Sequence, residues 1–269
     1  MLSRSAPLIV SIVALAACGV ERPAEEMSEP EDDTMLVAAE IDSQAVDIAR
    51  GAVQFLASQE RFHMRARTAR EVEQESGEFL EFTETREITI RRPNKLFGIG
   101  SRDDGQVRRV WYDGETFTVY DQGENAYGQV PVPDDLDATL DYLETVLEMP
   151  MPMADLFYND LSHLDVEILS ATYVGESRVE DVECDHLAFR NDAVDWQMWI
   201  QRGDTPWIRK FVINYRELPG APQFAAVLDE WDRAPATHDG LFEFTPPDDA
   251  VQIEVSVPAP IETEEGGDG

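Results

Sequence analysis

The clearest structural signal in this sequence is the alternating segment Arg61-Phe62-His63-Met64-Arg65-Ala66-Arg67-Thr68. Successive side chains of a β-strand point to opposite sides of a sheet. The even-numbered side chains, from Phe62 to Thr68, therefore share one face, and the histidine and the arginines between them share the other. The segment predicts a strand with one apolar face and one basic face.

The same alternation recurs on the C-terminal side of this strand. Further strands are predicted over residues 82–90, 96–99, 107–112, 116–120, 166–173, 184–189, 194–201, 208–215, 224–231 and 241–244. The first of these are joined by the turn sequences Ser76-Gly77, Asp103-Asp104-Gly105 and Asp113-Gly114. Strands that follow one another through short turns form an antiparallel meander, which is the expectation here.

Two stretches have the helical period instead. The first has apolar residues three or four positions apart and predicts a helix over residues 43–58, capped by Asp42; they are Ile41, Ala45, Ile48, Ala52, Phe55 and Leu56. The second begins behind Asp134 and Asp135, where acidic side chains favour a helix start, and it contains Leu136, Leu140, Leu143 and Leu147. The run Met149-Pro150-Met151-Pro152 ends it.

Composition narrows the class of protein further. The 269 residues include 55 acidic and 21 basic side chains, a formal net charge of −34, which excludes nucleic-acid binding through a broad basic face. A hydrophobic fraction of 43% excludes a disordered acidic chain. Because no composition break divides residues 41–253, we predict one α+β domain, a curved antiparallel sheet packed by a few helices.

The N-terminal residues indicate export. A basic residue, Arg4, precedes an apolar run of about ten residues and the small residues before Cys18, as in a secretory signal. Leu15-Ala16-Ala17-Cys18 resembles the lipobox of bacterial lipoproteins. That resemblance implies a signal peptide over residues 1–17, acylation of Cys18 and, with Gly19 next, anchoring in the outer membrane. Residues 18–40 then form an acidic tether, and residues 254–269 an acidic disordered tail.

Five further segments contain tryptophan, cysteine–histidine and proline motifs. They are Trp111-Tyr112-Asp113-Gly114, Cys184-Asp185-His186-Leu187-Ala188-Phe189-Arg190, Asp195-Trp196-Gln197-Met198-Trp199-Ile200, Gly220-Ala221-Pro222-Gln223-Phe224 and Phe242-Glu243-Phe244-Thr245-Pro246-Pro247. Together they resemble a family of predicted periplasmic proteins, number 2092 in the domain-of-unknown-function series, over about residues 45–251. That family is similar to the outer-membrane lipoprotein carriers of the LolA/LolB type.

The resemblance to these carriers implies an incomplete barrel around an apolar cavity that holds acyl chains, with helices as its lid. It implies no known activity, because a fold does not determine a function. The candidate ligand-binding residues are the large apolar side chains on predicted inward faces: Phe62, Met64, Ile88, Ile90, Tyr112, Phe117, Val119, Leu140, Leu143, Trp196, Met198, Ile200, Phe211 and Ile213. An ordinary close-packed core is the alternative. Met149, Met151 and Met153 would add an adaptable surface near the lid.

The sequence contains few residue arrangements that are typical of an enzyme active site. In a strand, Cys184 and His186 point to one face and Asp185 to the other, so the three do not form a triad by themselves. The four histidines, His63, His163, His186 and His238, have no metal-site spacing, and no phosphate-binding loop occurs. We expect no catalytic residue, no metal and no cofactor, with Cys184 buried as a free thiol.

The basic residues are distributed unevenly. Eleven of the 21 lie between residues 61 and 109, and Arg61, Arg65 and Arg67 share a strand face. Either this face is solvated and balances the acidic residues, or it binds anionic headgroups or an acidic partner. The leading functional hypothesis is a non-enzymatic, lipid-anchored envelope protein that binds an apolar or acylated ligand. A protein-interaction or sensor module of the periplasm is the second hypothesis, and a hydrolase is the third.

Overall fold

Twelve strands of the described residues form one curved sheet whose two edge strands do not pair with each other. The computed structural model describes residues 40–149, 151, 153–159 and 167–255. The predicted signal peptide, Cys18 and His163 lie outside these residues, as do the tether up to residue 39, residue 166 of a predicted strand, and the tail from residue 256 onward. The predicted α+β architecture is confirmed.

The sheet is built from two meanders that meet where β1 pairs with β11. The strands are β1 (Arg61–Glu73), β2 (Phe79–Arg91), β3 (Lys95–Arg102), β4 (Val107–Tyr112), β5 (Thr116–Asp121), β6 (Ala126–Pro131), β7 (Ser170–Val179), β8 (Val182–Arg190), β9 (Val194–Gln201), β10 (Ile208–Tyr215), β11 (Gln223–Asp232) and β12 (Val251–Ile253). Their spatial order is β12-β6-β5-β4-β3-β2-β1-β11-β10-β9-β8-β7. Hydrogen bonding of β11 to β1 therefore joins the last strands of the second meander to the first strand of the chain.

The first helix, α1 (Ser43–Ala57), begins where the sequence predicted. The Asp42 carboxylate accepts the backbone N–H of Gln44 at 2.8 Å, which satisfies one of the free donors of the first turn. Ala45, Ala52 and Leu56 are buried, and the helix lies against β7, β8 and β9. Ile41 was predicted to belong to the helical stripe, and this was wrong. The residue precedes the cap and forms a parallel bridge to Ala171.

The second helix, α2 (Leu136–Thr145), is capped by Asp135, which accepts the backbone N–H groups of Asp137 and Ala138 at 3.0 and 3.1 Å. The leucines of its apolar stripe, Leu136, Leu140 and Leu143, are buried. Leu147, predicted to extend this stripe, lies beyond the end of the helix but still packs against the core.

The helices define two faces of the sheet. We call the face that shares its hydrophobic core with α1 and α2 the inner face, and the opposite one the outer face. A register shift between Arg65 and Ala66 in the β1–β11 pair places Trp231 opposite Met64. Trp231 consequently joins the inner core, where its ring stacks on Trp207 with centroids 4.4 Å apart.

The C-terminal part of the chain differs from the sequence prediction. Residues 241–244 are not a strand; a 3-10 turn, Asp239–Leu241, is followed by irregular chain. Phe242 is buried, and Phe244 packs against Trp111 and Tyr127 on the outer face, with centroids 4.9 and 5.0 Å away. Their alternation thus reflects contact with the sheet rather than pairing within it. Strands β6 and β12 were not predicted, and β12 pairs with β6 in parallel.

Candidate functional site

The apolar side chains that were predicted to bind a ligand lie together on the inner face of the sheet. Strand alternation and register place them in one hydrophobic cluster with residues of both helices. All fourteen predicted ligand-binding residues belong to it: Phe62, Met64, Ile88, Ile90, Tyr112, Phe117, Val119, Leu140, Leu143, Trp196, Met198, Ile200, Phe211 and Ile213. Their role as ligand contacts remains a prediction, whereas their common location is a property of the fold.

Burial divides these fourteen residues into two groups. Nine are closely surrounded by protein, with at most 7% of their surface exposed: Phe62, Met64, Ile90, Tyr112, Phe117, Leu140, Leu143, Ile200 and Phe211. Five remain partly exposed although they are large and apolar: Ile88, Val119, Trp196, Met198 and Ile213. We call the nine enclosed residues the packed floor. The inner face therefore consists of the packed floor and of five apolar side chains that are partly exposed.

The partly exposed side chains lie in two strips. Trp196 pairs with Ile213 across β9 and β10, and Met198 is the next inward residue along β9. The second strip runs across β2 to β5, where Ile88 and Val119 are separated by Gly98 and Val110. Gly98 permits a close approach here, because a Cβ at this position would lie 2.9 Å from Cγ2 of Val110.

The second helix is joined to this face by polar contacts as well as by its leucines. The hydroxyl of Tyr112 donates to the backbone oxygen of Pro133 at 2.8 Å, and Thr139 donates to the same oxygen at 3.0 Å. Burial raises the pKa of Tyr112, so the phenol stays protonated and acts as a donor. Met153 is buried, and Met149 and Met151 pack against the core, beside the predicted lid.

Arg92 lies directly after β2 and is one of the eleven basic residues between positions 61 and 109, among which the sequence pattern did not distinguish it. It follows Ile88 and Ile90 at two-residue spacing, and its guanidinium carbon lies 5.8 Å from the ring centroid of Phe62. Its Nη1 donates to the backbone oxygen of Phe157 and to Oδ1 of Asn159, both at 2.6 Å. Nε and Nη2 are buried and have no hydrogen-bond partner among the described residues.

The electrostatic state of Arg92 reflects this burial. Desolvation lowers its pKa to about 10, while the nearby carboxylate of Asp137 acts in the opposite direction. The guanidinium is still charged at neutral pH, because that value is well above 7. A signal in the sequence could have identified it, namely an arginine that continues the inward row of Ile88 and Ile90.

The inner face is polar where the inward row of β2 begins, before Ile88. Arg86 donates from Nε and Nη2 to one carboxylate oxygen of Glu84, at 3.0 and 2.8 Å. Arg108 pairs with Asp121 at 3.2 Å two strands away. These arginines have carboxylate partners, unlike Arg92, whose acceptors in the structure are uncharged.

The side chains of the cysteine–histidine segment have separate surroundings. Cys184 is fully buried, and burial raises the pKa of its thiol. The Nε2 atom of His186 lies 2.9 Å from Oε1 of Gln197, and the ring stacks on Trp199 at 4.1 Å. Asp185 instead accepts the hydroxyl of Tyr173 at 2.9 Å. Within the described ranges, no group of three or more potential metal ligands comes together.

The predicted basic face lies on the outside of the sheet. Arg67 forms ion pairs with Glu180 and with Asp229, the latter at 3.0 Å. Arg61 is exposed, and the Nε of Arg65 is buried without a partner among the described residues. His63 lies 3.0 Å from the Thr89 hydroxyl, and His238 precedes the 3-10 turn. None of the helices in the described part of the chain is long and apolar enough to cross a membrane.

Comparison with known proteins identifies a family. Residues 45–256 match the profile of a family described as predicted periplasmic protein, domain of unknown function 2092. No curated protein matches the sequence.

Several solved structures are similar to this chain, each with a TM-score below 0.5. The lipoprotein LppX of Mycobacterium tuberculosis is 13% identical, with 73% of this chain and 98% of LppX covered and a TM-score of 0.48. A LolA superfamily protein of Nitrosomonas europaea is 10% identical, with coverages of 74% and 97% and a TM-score of 0.35. The MucA/MucB complex of Pseudomonas aeruginosa contains a chain that is 17% identical, with coverages of 74% and 60% and a TM-score of 0.40. Likenesses this distant transfer no function.

Proposed function

The chain belongs to this family of predicted periplasmic proteins, and we propose that it is a non-enzymatic envelope protein that binds an apolar or acylated ligand on the inner face of its half-barrel. The inner face is the only surface that combines all fourteen predicted ligand-binding side chains with the two helices among the described residues. A site for an apolar ligand is concave, mostly apolar and provided with few polar groups.

One observation supports this proposal above the others. Trp196, Met198 and Ile213 are neighbouring large apolar side chains that keep exposed surface on the same face as the nine enclosed residues. Exposing such side chains to water costs about 25 cal/mol for each Å² of apolar surface, so a ligand that covers them is favoured. An acyl chain has the apolar chemistry that this strip requires.

The cellular location is part of the proposal. Cys18, in Leu15-Ala16-Ala17-Cys18, would be acylated after removal of the signal peptide and would anchor the protein, with Gly19 favouring the outer membrane. Each buried CH₂ of an acyl chain contributes about 0.8 kcal/mol, so two or three chains give stable anchoring. The acidic tether of residues 18–40 would then hold the domain away from the membrane surface.

A protein-interaction module is the second candidate, and the edge strand β7 favours it. This strand pairs with β8 on one side. On its other side, residues 40–42 bond to its beginning at Ala171, and the stretch after Tyr173, where Val174 is 52% exposed, ends the sheet. A strand of a partner could add to such an edge through backbone hydrogen bonds.

Uptake of a fluorescent fatty acid by wild-type protein and by Met198→Trp tests the proposal. Met198 faces Leu187 on β8 and Phe211 on β10, so the larger indole would fill the open strip. We expect a nearly unchanged melting temperature and loss of uptake. Gln197→Trp, on the outer face of the same strand, is the matched control and should retain uptake.

Two results would contradict the apolar-ligand proposal. One is a wild-type protein that never takes up the probe. The other is a large loss of stability in Met198→Trp, because overpacking a filled core typically costs about 1–3 kcal/mol. Either result would favour the protein-interaction candidate.

A further inference from the structure

The unpaired atoms of Arg92 form one edge of its guanidinium. Nε and the Nη2 nitrogen carry N–H groups that point in parallel, which is the geometry that accepts the two oxygens of a carboxylate or phosphate. Both atoms are buried and have no partner among the described residues, while Nη1 is occupied by Phe157 and Asn159. The structure thus leaves open the edge of Arg92 that is suited to an oxyanion.

The charge of Arg92 is compensated only in part, because the nearby carboxylate of Asp137 acts on it without accepting a hydrogen bond from it. A buried charge is costly unless it is paired, and the oxygens of Phe157 and Asn159 that accept from Arg92 are uncharged. Hydrogen bonds between a charged donor and an oxyanion are about twice as strong as those between neutral groups. An anionic group would therefore be a better partner for this side chain than the acceptors it has.

The position of Arg92 relates it to the apolar surface. It lies just beyond the end of β2, two positions after Ile90, the last residue of the inward row of that strand. Its guanidinium lies over Phe62, whose ring belongs to the packed floor. An acyl chain on this face could place an acidic group at the end of the row. For the group to reach Nε and Nη2, the atoms that cover them have to shift, because both nitrogens have less than 1 Å² of exposed surface.

We propose that the ligand of the inner face is an acyl chain with an acidic group, and that Arg92 binds this group through Nε and Nη2. This inference rests on the proposed function and specifies the class of ligand. A free fatty acid and a phospholipid share the chemistry, since each presents paired anionic oxygens next to an apolar chain.

Binding of dodecanoate, dodecyl phosphate and dodecanol, measured by titration calorimetry, tests the inference. We expect the wild-type protein to bind at least one of the two anions about tenfold or more tightly than dodecanol, as expected for a charge-assisted hydrogen-bonded pair. Arg92→Met should remove this preference while leaving the affinity for dodecanol unchanged. The anion that is preferred by the wild type distinguishes a carboxylate from a phosphate ligand.

Two further variants serve as controls in this binding test. Arg91→Met removes the same charge from the neighbouring residue, whose side chain pairs with Asp239 on the outer face, and it should keep the wild-type preference. Arg92→Lys retains the charge without the paired donors and should show a reduced preference for the anion over dodecanol. This variant tests the role of Arg92 if Arg92→Met does not fold.

The possible failures are distinguishable. A wild-type protein that binds dodecanol as tightly as both anions, or an Arg92→Met variant that keeps the preference for an anion, would overturn the role of Arg92 and leave the apolar site intact. A wild-type protein that binds none of the three probes would overturn the proposed function itself, and the inference with it.

Discussion

Arg91 and Arg92 are adjacent in the sequence but lie on opposite faces of the sheet. Arg91 points outward, where its Nη2 donates to Asp239 at 2.6 Å and its guanidinium lies 5.0 Å from the ring centroid of Phe242. Arg92 points inward, with its guanidinium carbon 5.8 Å from the ring centroid of Phe62. One arginine thus helps to hold the C-terminal segment on the outside of the sheet. The other is half-buried beside the hydrophobic core, with its Nε and Nη2 atoms enclosed.

The outer contact predicts a stabilising role for Phe242. This side chain of the C-terminal segment is fully buried, and it lies against the guanidinium of Arg91. Phe242→Ala should lower the free energy of unfolding by about 3–5 kcal/mol, because it removes a buried ring and leaves a cavity. Urea unfolding measures the change. Leu218→Ala, at a position that is 52% exposed, should change it by less than about 0.5 kcal/mol, and equal effects would contradict the assignment.

Two glycines should respond to alanine in opposite directions. A Cβ at Gly51, in the middle of α1, meets no atom within 4 Å, so Gly51→Ala should stabilise the protein by about 0.5–1 kcal/mol. Gly114 has φ of +92°, and a Cβ there would lie 2.7 Å from Nδ2 of Asn94. Gly114→Ala should therefore destabilise it by about 1 kcal/mol or more. Melting curves of both variants test this pair; shifts of the same sign would refute it.

The thiol of Cys184 should be unreactive in the folded protein. It is fully buried, and burial raises its pKa, so the fraction of thiolate at neutral pH is below that of a free cysteine. In a Cys18→Ala background, a thiol reagent should modify Cys184 only after denaturation. Ser43→Cys, exposed at the start of α1, should react at once in the same assay. Rapid native labelling of Cys184 would instead favour the nucleophile hypothesis.

The proposed anchor predicts a covalent modification at Cys18. Cys18→Ala should remain unprocessed by lipoprotein signal peptidase and should contain no attached fatty acid, because the acyl acceptor is the cysteine thiol. Metabolic labelling with a palmitate analogue distinguishes the variant from the wild type. Cys184→Ala is the control and should be labelled normally. Labelling of Cys18→Ala at the wild-type level would exclude this anchor.

Much of the fold is readable from local patterns. Alternation in residues 61–68 depends only on the geometry of an extended chain, and the structure pairs this strand with β2 as an antiparallel hairpin. The capping residues Asp42 and Asp135 act on backbone N–H groups two or three positions away, so their effect is also local.

Contacts between distant segments are not readable in the same way. Phe242 and Phe244 alternate as strand residues do, yet they pack on the outer face instead of pairing. The short strand β12 pairs with β6 across more than a hundred residues of chain, and nothing in its three residues specifies that partner.

For the candidate site, the sequence by itself determined which side chains point inward, because strand periodicity assigns every second residue to one face. It did not determine which of them are enclosed. Met198 and Ile200 occupy the same face of β9, but Ile200 is 1% exposed whereas Met198 retains open surface. The unpaired edge of Arg92 likewise depends on where Phe157 and Asn159 lie. Enclosure and pairing are decided by the tertiary structure, because they depend on atoms that distant segments bring to the same place.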